Sequence, residues 1–185
     1  IVGDVIGNFV AVRDVRRFAA PHESMQARKT LELGCKKAEA AAQNILAFEQ
    51  PDLAHKAFKT LLVDSAILSS SAMLESGSSQ PCSGAEHLLS HAIDFLRIPP
   101  GWLHGQQVGA AVPFCLSLHD EKQLQDEVVQ LYVRLGMPAS LQALGPAIEQ
   151  NSESILRLAP QMRVGRRTIL GQYSTNELLQ RFSLK

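Results

Sequence analysis

The stretch Ser76-Gly-Ser-Ser-Gln-Pro-Cys-Ser-Gly-Ala-Glu-His-Leu-Leu-Ser-His91 decides how this 185-residue chain is read. A Gly/Ser-rich segment before a helix start has the outline of a dinucleotide-binding loop, but such a loop must leave a β-strand. Upstream of Ser76, residues 53–75 carry Leu53, Ala57, Leu61, Ile67, Leu68 and Leu74 at helical spacing. The loop therefore joins two helices, and the fingerprint fails its structural test.

Working outward, residues 84–96 form a short helix with Leu88, Leu89, Ile93 and Phe95 toward a core, ended at Pro99-Pro100-Gly101. His104 opens the next helix, which Val108, Val112 and Leu116 carry to Leu118. Asp120 is the expected N-cap of a helix over 121–135, which Gly136 and Pro138 stop. Shorter helices are expected over 140–143, 146–158 and 175–182, the last capped by Ser174 or Thr175. Toward the N-terminus, residues 22–48 are rich in helix formers, and Val5, Ile6, Phe9, Val12, Val15 and Phe18 give a helix over 4–19, with Pro21 between the two. Aromatic residues make up 5% and strand-like alternation is scarce, so the fold class is all-α, a single helical domain over 1–185.

A formal net charge of zero, with basic residues dispersed, supplies no electrostatic reason for nucleic acid or an anionic membrane as partner. No run is read as reaching the roughly 20 apolar residues that span a bilayer. Cys35, Cys82 and Cys115 are odd in number and widely spaced, which reads as a reduced, cytoplasmic protein. The chain begins at Ile1 rather than Met, as a fragment or processed product would. The long amphipathic helices near 31–48 and 53–74 supply the core, with a homo-oligomer interface as the other use.

His87 and His91 lie four apart, on one face of the 84–96 helix if it forms. Such a pair can chelate a metal, although one member is often a packed or surface residue. His104 stands beyond a turn able to fold its helix back against the first. A harder third ligand would complete a catalytic site, and Asp4, Glu23, Asp64, Glu86 and Asp94 are all candidates. His22, His55 and His119 read as solvated, and Cys82 as a small packed residue. The arginine-rich stretches 13–17 and 163–167 read as solvated faces, the second able to hold an anion.

Three motifs in order resemble the iron-containing alcohol dehydrogenase and dehydroquinate synthase superfamily, most closely its glycerol-1-phosphate dehydrogenase branch. They are Gly3-Asp4 with Ala11, Asp14 and Arg16; Ser76–Ser79 with the Ser83–His91 run; and Leu103-His104-Gly105 with Gln107-Val108-Gly109. Arg167-Thr-Ile-Leu170 is similar to the family's closing segment. The resemblance implies a helical domain that holds a divalent metal through Asp4, His87 and His104. That ion is expected to be Zn2+, with Fe2+, Mn2+ or Ni2+ as alternatives. It also implies a preceding nucleotide-binding domain, absent here, that supplies NAD or NADP. His91 then orients substrate or relays a proton, and Ser76, Gly77, Ser78 and Ser79 face a substrate phosphate. The small-molecule partner is a polyol or its phosphate. Gln80 and Cys82 depart from the family pattern, which leaves glycerol dehydrogenase and sugar-phosphate cyclase as alternatives, beside a truncated non-catalytic helical interaction module.

Overall fold

The computed structural model describes residues 1–18 and 24–183. Pro21, His22 and Glu23, on which a helix break, a solvated histidine and a candidate ligand were placed, lie outside the described residues. Among the described residues there are helices and no strand, so the chain is all-α.

Helix α1 (Val2–Phe18) is buried on nearly every side. A helix apolar all round belongs inside, and Ile6, Val10, Ala11 and Val12 are indeed fully covered. Around it pack α2 (Met25–Leu46), α4 (Ala85–Phe95) and α5 (His104–Leu118), with α3 (Lys56–Ser76) paired along α2. Next come α6 (Lys122–Leu135), α7 (Pro146–Gln150), α8 (Ser152–Leu158) and α9 (Thr175–Ser183). One extended core joins α1, α4, α5 and the C-terminal helices, while a smaller cluster of Val12, Val15, Leu31, Cys35, Ala38, Ala72 and Cys82 seals α1 against α2 and the loop after α3.

Several boundaries differ from expectation for local reasons. Asp120 adopts the left-handed region at φ 62, so it ends the preceding turn, and Glu121 takes the N-cap place of α6 without a side-chain cap. The 146–158 helix is broken at Asn151, whose φ of −108° leaves helical geometry and separates α7 from α8. The 140–143 helix is only a 3-10 turn at Gln142–Leu144, and further 3-10 turns form at Gln80–Cys82, Ala159–Gln161 and Ile169–Gln172. Ser174 caps α9 as expected: its Oγ accepts from Glu177 N at 3.3 Å while Glu177 Oε2 accepts from Ser174 N at 2.7 Å, a reciprocal capping box.

The 13–17 arginines are not simply solvated. Arg13 Nε donates to Glu121 at 2.8 Å, and Arg16 reaches Glu32 and Glu39 at 3.0 Å, tying α1 to α6 and α2. Helix α3 is the one helix among the described residues long and apolar enough to cross a membrane by length and composition, contrary to the sequence reading. It nevertheless carries Lys59 and Asp64 mid-length, and its Glu75 pairs with Lys37 of α2. Its inner face supplies core through Phe58 and Leu62, while Val63, Ile67 and Leu74 stay exposed.

All three cysteines are buried and unpaired. Burial pushes the Cys35 and Cys82 thiols up to about 12, and Cys115 well above its ordinary range. At pH 8 a thiol with a pKa of about 12 is ionised to only roughly one part in ten thousand, and the thiolate is the nucleophile. The native protein is therefore expected to resist iodoacetamide at pH 8 and to take up three labels only after unfolding, as read by mass spectrometry. Labelling of native Cys82 on the timescale of a free thiol would overturn this.

Candidate metal centre

The three residues carrying the resemblance stand in the first turns of three helices: Asp4 in α1, His87 in α4 and His104 in α5. Their donor atoms all lie within 4.8 Å of one another. His104 Nε2 is 3.7 Å from Asp4 Oδ1, and the His87 and His104 rings are 5.2 Å apart between centroids. Of the five carboxylates open as third ligand in the sequence, Asp4 alone joins the histidines. Glu86 and Asp94 stand behind them, Asp64 is exposed on α3, and Glu23 is outside the described residues.

A close backbone crossing makes this convergence possible. A Cβ on Gly3 would lie 1.9 Å from the Gly105 carbonyl oxygen and 2.9 Å from Gly109 Cα, and one on Gly105 would lie 2.5 Å from Asp4 Oδ2. Glycine at Gly3 and Gly105 lets α1 and α5 touch main chain to main chain, which is what carries Asp4 to His104.

Helix α4 is set by α1 as well. Asp14 Oδ2 accepts from Ala85 N at 2.8 Å, capping α4 from another helix, while its Oδ1 accepts from Ile169 N at 2.7 Å and meets His119 Nε2 at 3.1 Å. Burial raises the Asp14 carboxyl above its usual range, the His119 bond opposing. This corrects the surface reading of His119, whose side chain is 3% exposed. A histidine just before a helix looks solvated in sequence; what buries it is a carboxylate 105 residues away.

The neighbours of the donors fit a metal site. His87 Nδ1 lies 2.7 Å from Glu86 Oε1 in a fully buried setting for the glutamate, so the carboxylate takes the Nδ1 proton and Nε2 keeps its lone pair. A ligating histidine commonly donates its other ring N–H to a carboxylate in this way, and losing such a partner costs 10- to 100-fold in metal affinity. Glu86→Gln is therefore expected to weaken Zn2+ binding by about 10- to 100-fold by calorimetry. Wild-type affinity in that variant would deny Glu86 an orienting role. Glu86 Oε2 has no hydrogen-bond partner among the described residues, a buried negative charge that a cation at His87 would help neutralise.

His91 stands beside both donors, its ring 6.4 Å from His87 and 5.9 Å from His104. Burial, then the charges of His87, His104 and Arg163, hold it below the usual histidine range, with Asp94 opposing. His87, His91 and Asp4 line a cleft of about 410 Å³, together with Asn8, Ser79 and Arg163. Of the four loop residues, Ser79 alone lines it. Ser76 Oγ turns onto the Ala72, Met73 and Ser78 carbonyls, Gly77 ends α3 at φ 61, and Ser78 Oγ accepts from Gln80 N.

Two residues of the 163–167 stretch close on that loop. Arg163 and Arg166 both donate to Ser79 Oγ, at 3.1 and 3.0 Å, and Arg166 also reaches the Ser83 carbonyl at 2.5 Å. Neither forms a salt bridge among the described residues. Burial and the like charge of Arg163 hold the Arg166 guanidinium below its usual range. Asn8 adds a fully buried amide whose Nδ2 donates to Ala38 O and Ser69 Oγ while Oδ1 has no partner. Its signal in the sequence is its place one turn after Asp4.

An all-α fold with two histidines and a carboxylate converging on a cleft defines the class: a helical module bearing a candidate metal centre. No protein-family model matches the chain. Among curated proteins it is similar to the glycerol-1-phosphate dehydrogenase (NAD(P)+) of Staphylothermus marinus, 31% identical over 179 residues, covering 95% of this chain and 48% of the relative. It is 36% identical over 174 residues to that of Thermococcus kodakarensis, covering 92% of this chain and 47% of the relative. A Saccharolobus islandicus counterpart is 33% identical over 175 residues, 92% of this chain and 46% of the relative. The chain is thus homologous to glycerol-1-phosphate dehydrogenases. It spans about half the length of these curated relatives, consistent with their C-terminal half.

Proposed function

We propose that residues 1–185 form the helical, metal-binding domain of an NAD(P)-dependent dehydrogenase interconverting dihydroxyacetone phosphate and glycerol 1-phosphate. The observation that carries this reading is the meeting of Asp4, His87 and His104 donor atoms within 4.8 Å, on a chain homologous to half of such enzymes. Those three residues would hold the ion, for which Zn2+ is our choice, with Fe2+, Mn2+ and Ni2+ served by the same donor types. A metal bound there supplies Lewis acidity to a substrate hydroxyl or carbonyl oxygen.

The chain's own residues do the rest. Three helix N-termini point their partial positive ends at the centre, which favours an oxygen as it gains negative charge. His91, in the cleft wall beside both ligand histidines, orients the reacting hydroxyl or passes its proton. Ser79 and Arg163 take the phosphate, a guanidinium suiting a phosphate dianion by geometry and charge, with Ser76, Gly77 and Ser78 shaping the loop behind. The nicotinamide nucleotide is placed in the half of the relatives that this chain does not span. Three reduced thiols suit the cytoplasm.

The test uses the complete gene product loaded with Zn2+. NADH or NADPH oxidation dependent on dihydroxyacetone phosphate supports the reading, and absence of turnover in the metal-loaded protein sinks it. Arg163→Gln is expected to raise KM for dihydroxyacetone phosphate by about 10- to 100-fold, the range of a lost charge-assisted contact. KM for the nucleotide should stay unchanged. An unchanged KM for the phosphorylated substrate would move the phosphate elsewhere, and faster turnover of glycerol than of its phosphate would favour the neutral-substrate reading.

A further inference from the structure

We infer that Ser90 and Gln107 are positioning residues that set the tautomer of His104, holding its proton on Nδ1 and leaving the Nε2 lone pair toward Asp4. The inference rests on the metal-site reading above and names how that site is kept ready.

The argument follows hydrogen-bond direction from the outside inward. Gln107 Nε2 lies 2.8 Å from Asp94 Oδ1 and 3.2 Å from the Trp102 carbonyl oxygen, both acceptors only, which fixes the amide with its nitrogen on that side. Gln107 Oε1 therefore faces Ser90, 2.7 Å away, and can only accept. The single hydroxyl proton of Ser90 is committed to it. Ser90 Oγ then offers only lone pairs to His104 Nδ1, 3.0 Å away, so Nδ1 must carry hydrogen. In the neutral ring that leaves Nε2 unprotonated, and Nε2 is the nitrogen 3.7 Å from Asp4 Oδ1.

Burial makes the relay rigid. Ser90 is 0% and Gln107 1% exposed, so water does not compete for their polar atoms. The His104 side chain itself is 45% exposed, which leaves its tautomer to this one internal partner. His87 reaches the same state by direct contact with Glu86. The two ligand histidines thus present equivalent nitrogens through unrelated supports.

Nitrogen-15 NMR of histidine-labelled, metal-free complete gene product at pH 8, above the ordinary histidine range, tests the relay. The His104 signal is identified by its loss in His104→Gln. Wild type should show the Nδ1–H tautomer. In Gln107→Leu the Ser90 proton has lost its acceptor and is free to turn toward His104 Nδ1, so the ring should shift largely to Nε2–H, an inversion that loosened packing would not produce. Ser90→Ala, a substitution favourable to helix propensity, removes the partner and should yield a mixture. Calorimetry with Zn2+ should show both variants weakened by about 10- to 100-fold. Nε2–H in the wild type, or an unchanged tautomer in both variants, overturns the relay. A wild type that shows the Nδ1–H tautomer but binds no metal would instead defeat the metal reading and leave the relay standing.

Discussion

Asp4→Asn is expected to cost more than any other single change at the centre. The substitution keeps size and shape while removing the only carboxylate among the three converging donors. Its effect on Zn2+ affinity should exceed the 10- to 100-fold of an orienting partner. Lewis-acid stabilisation of a developing alkoxide is worth several kcal/mol, so kcat/KM of the complete gene product should fall by about 10³-fold or more. Helix α1 should remain in place, because Asp4 lies at its first turn and is 37% exposed at the side chain. Calorimetry and the rise in Tm on adding metal measure the loss directly, since a ligand that binds only the folded state stabilises it. Wild-type affinity with asparagine at this position would remove Asp4 from the ligand set.

Gly3→Ala tests the crossing beneath the site. Its Cβ would sit 1.9 Å from the Gly105 carbonyl oxygen, a main-chain atom that no rotamer change can move. Helices α1 and α5 must separate, at the cost of an overpacked core, about 3 kcal/mol or more. For a chain of this length that corresponds to a fall in Tm of roughly 6–12 °C. Metal affinity should drop with it, because α1 carries Asp4 and α5 carries His104. Gly171→Ala is the control: a Cβ there meets nothing within 4 Å, and the change should stay within about 0.5 kcal/mol. Equal Tm values for the two variants would show that α1 and α5 have room to spare.

The helices were legible because their apolar residues recur at the period of a buried stripe, and α5 begins at His104 and ends at Leu118 as its pattern predicts. Caps were less so: Ser174 is a reciprocal side-chain cap, whereas Asp120 takes a left-handed conformation, and residue type alone does not tell these apart. Within the site, His87, His91 and His104 stood out by type and spacing. Glu86 and Asp94 looked equal to Asp4 as ligands, and only their direction in space separates them. Ser90 and Gln107 each follow a candidate ligand by three residues, a spacing with a helical meaning but no chemical mark of its own.

What the sequence by itself determined is the helical class, the order of the elements and the short set of residues able to bind a metal, because periodicity and side-chain chemistry are properties of the chain. Tertiary structure alone decided which of those residues meet, that Asp14 and His119 pair in the interior, that Arg163 and Arg166 converge on Ser79, and which nitrogen of His104 faces Asp4. Those outcomes depend on two glycines that let α1 and α5 touch, and on hydrogen bonds between residues as far apart as Asp14 and Ile169. Distances of that kind arise from packing between helices, and no spacing along the chain encodes them.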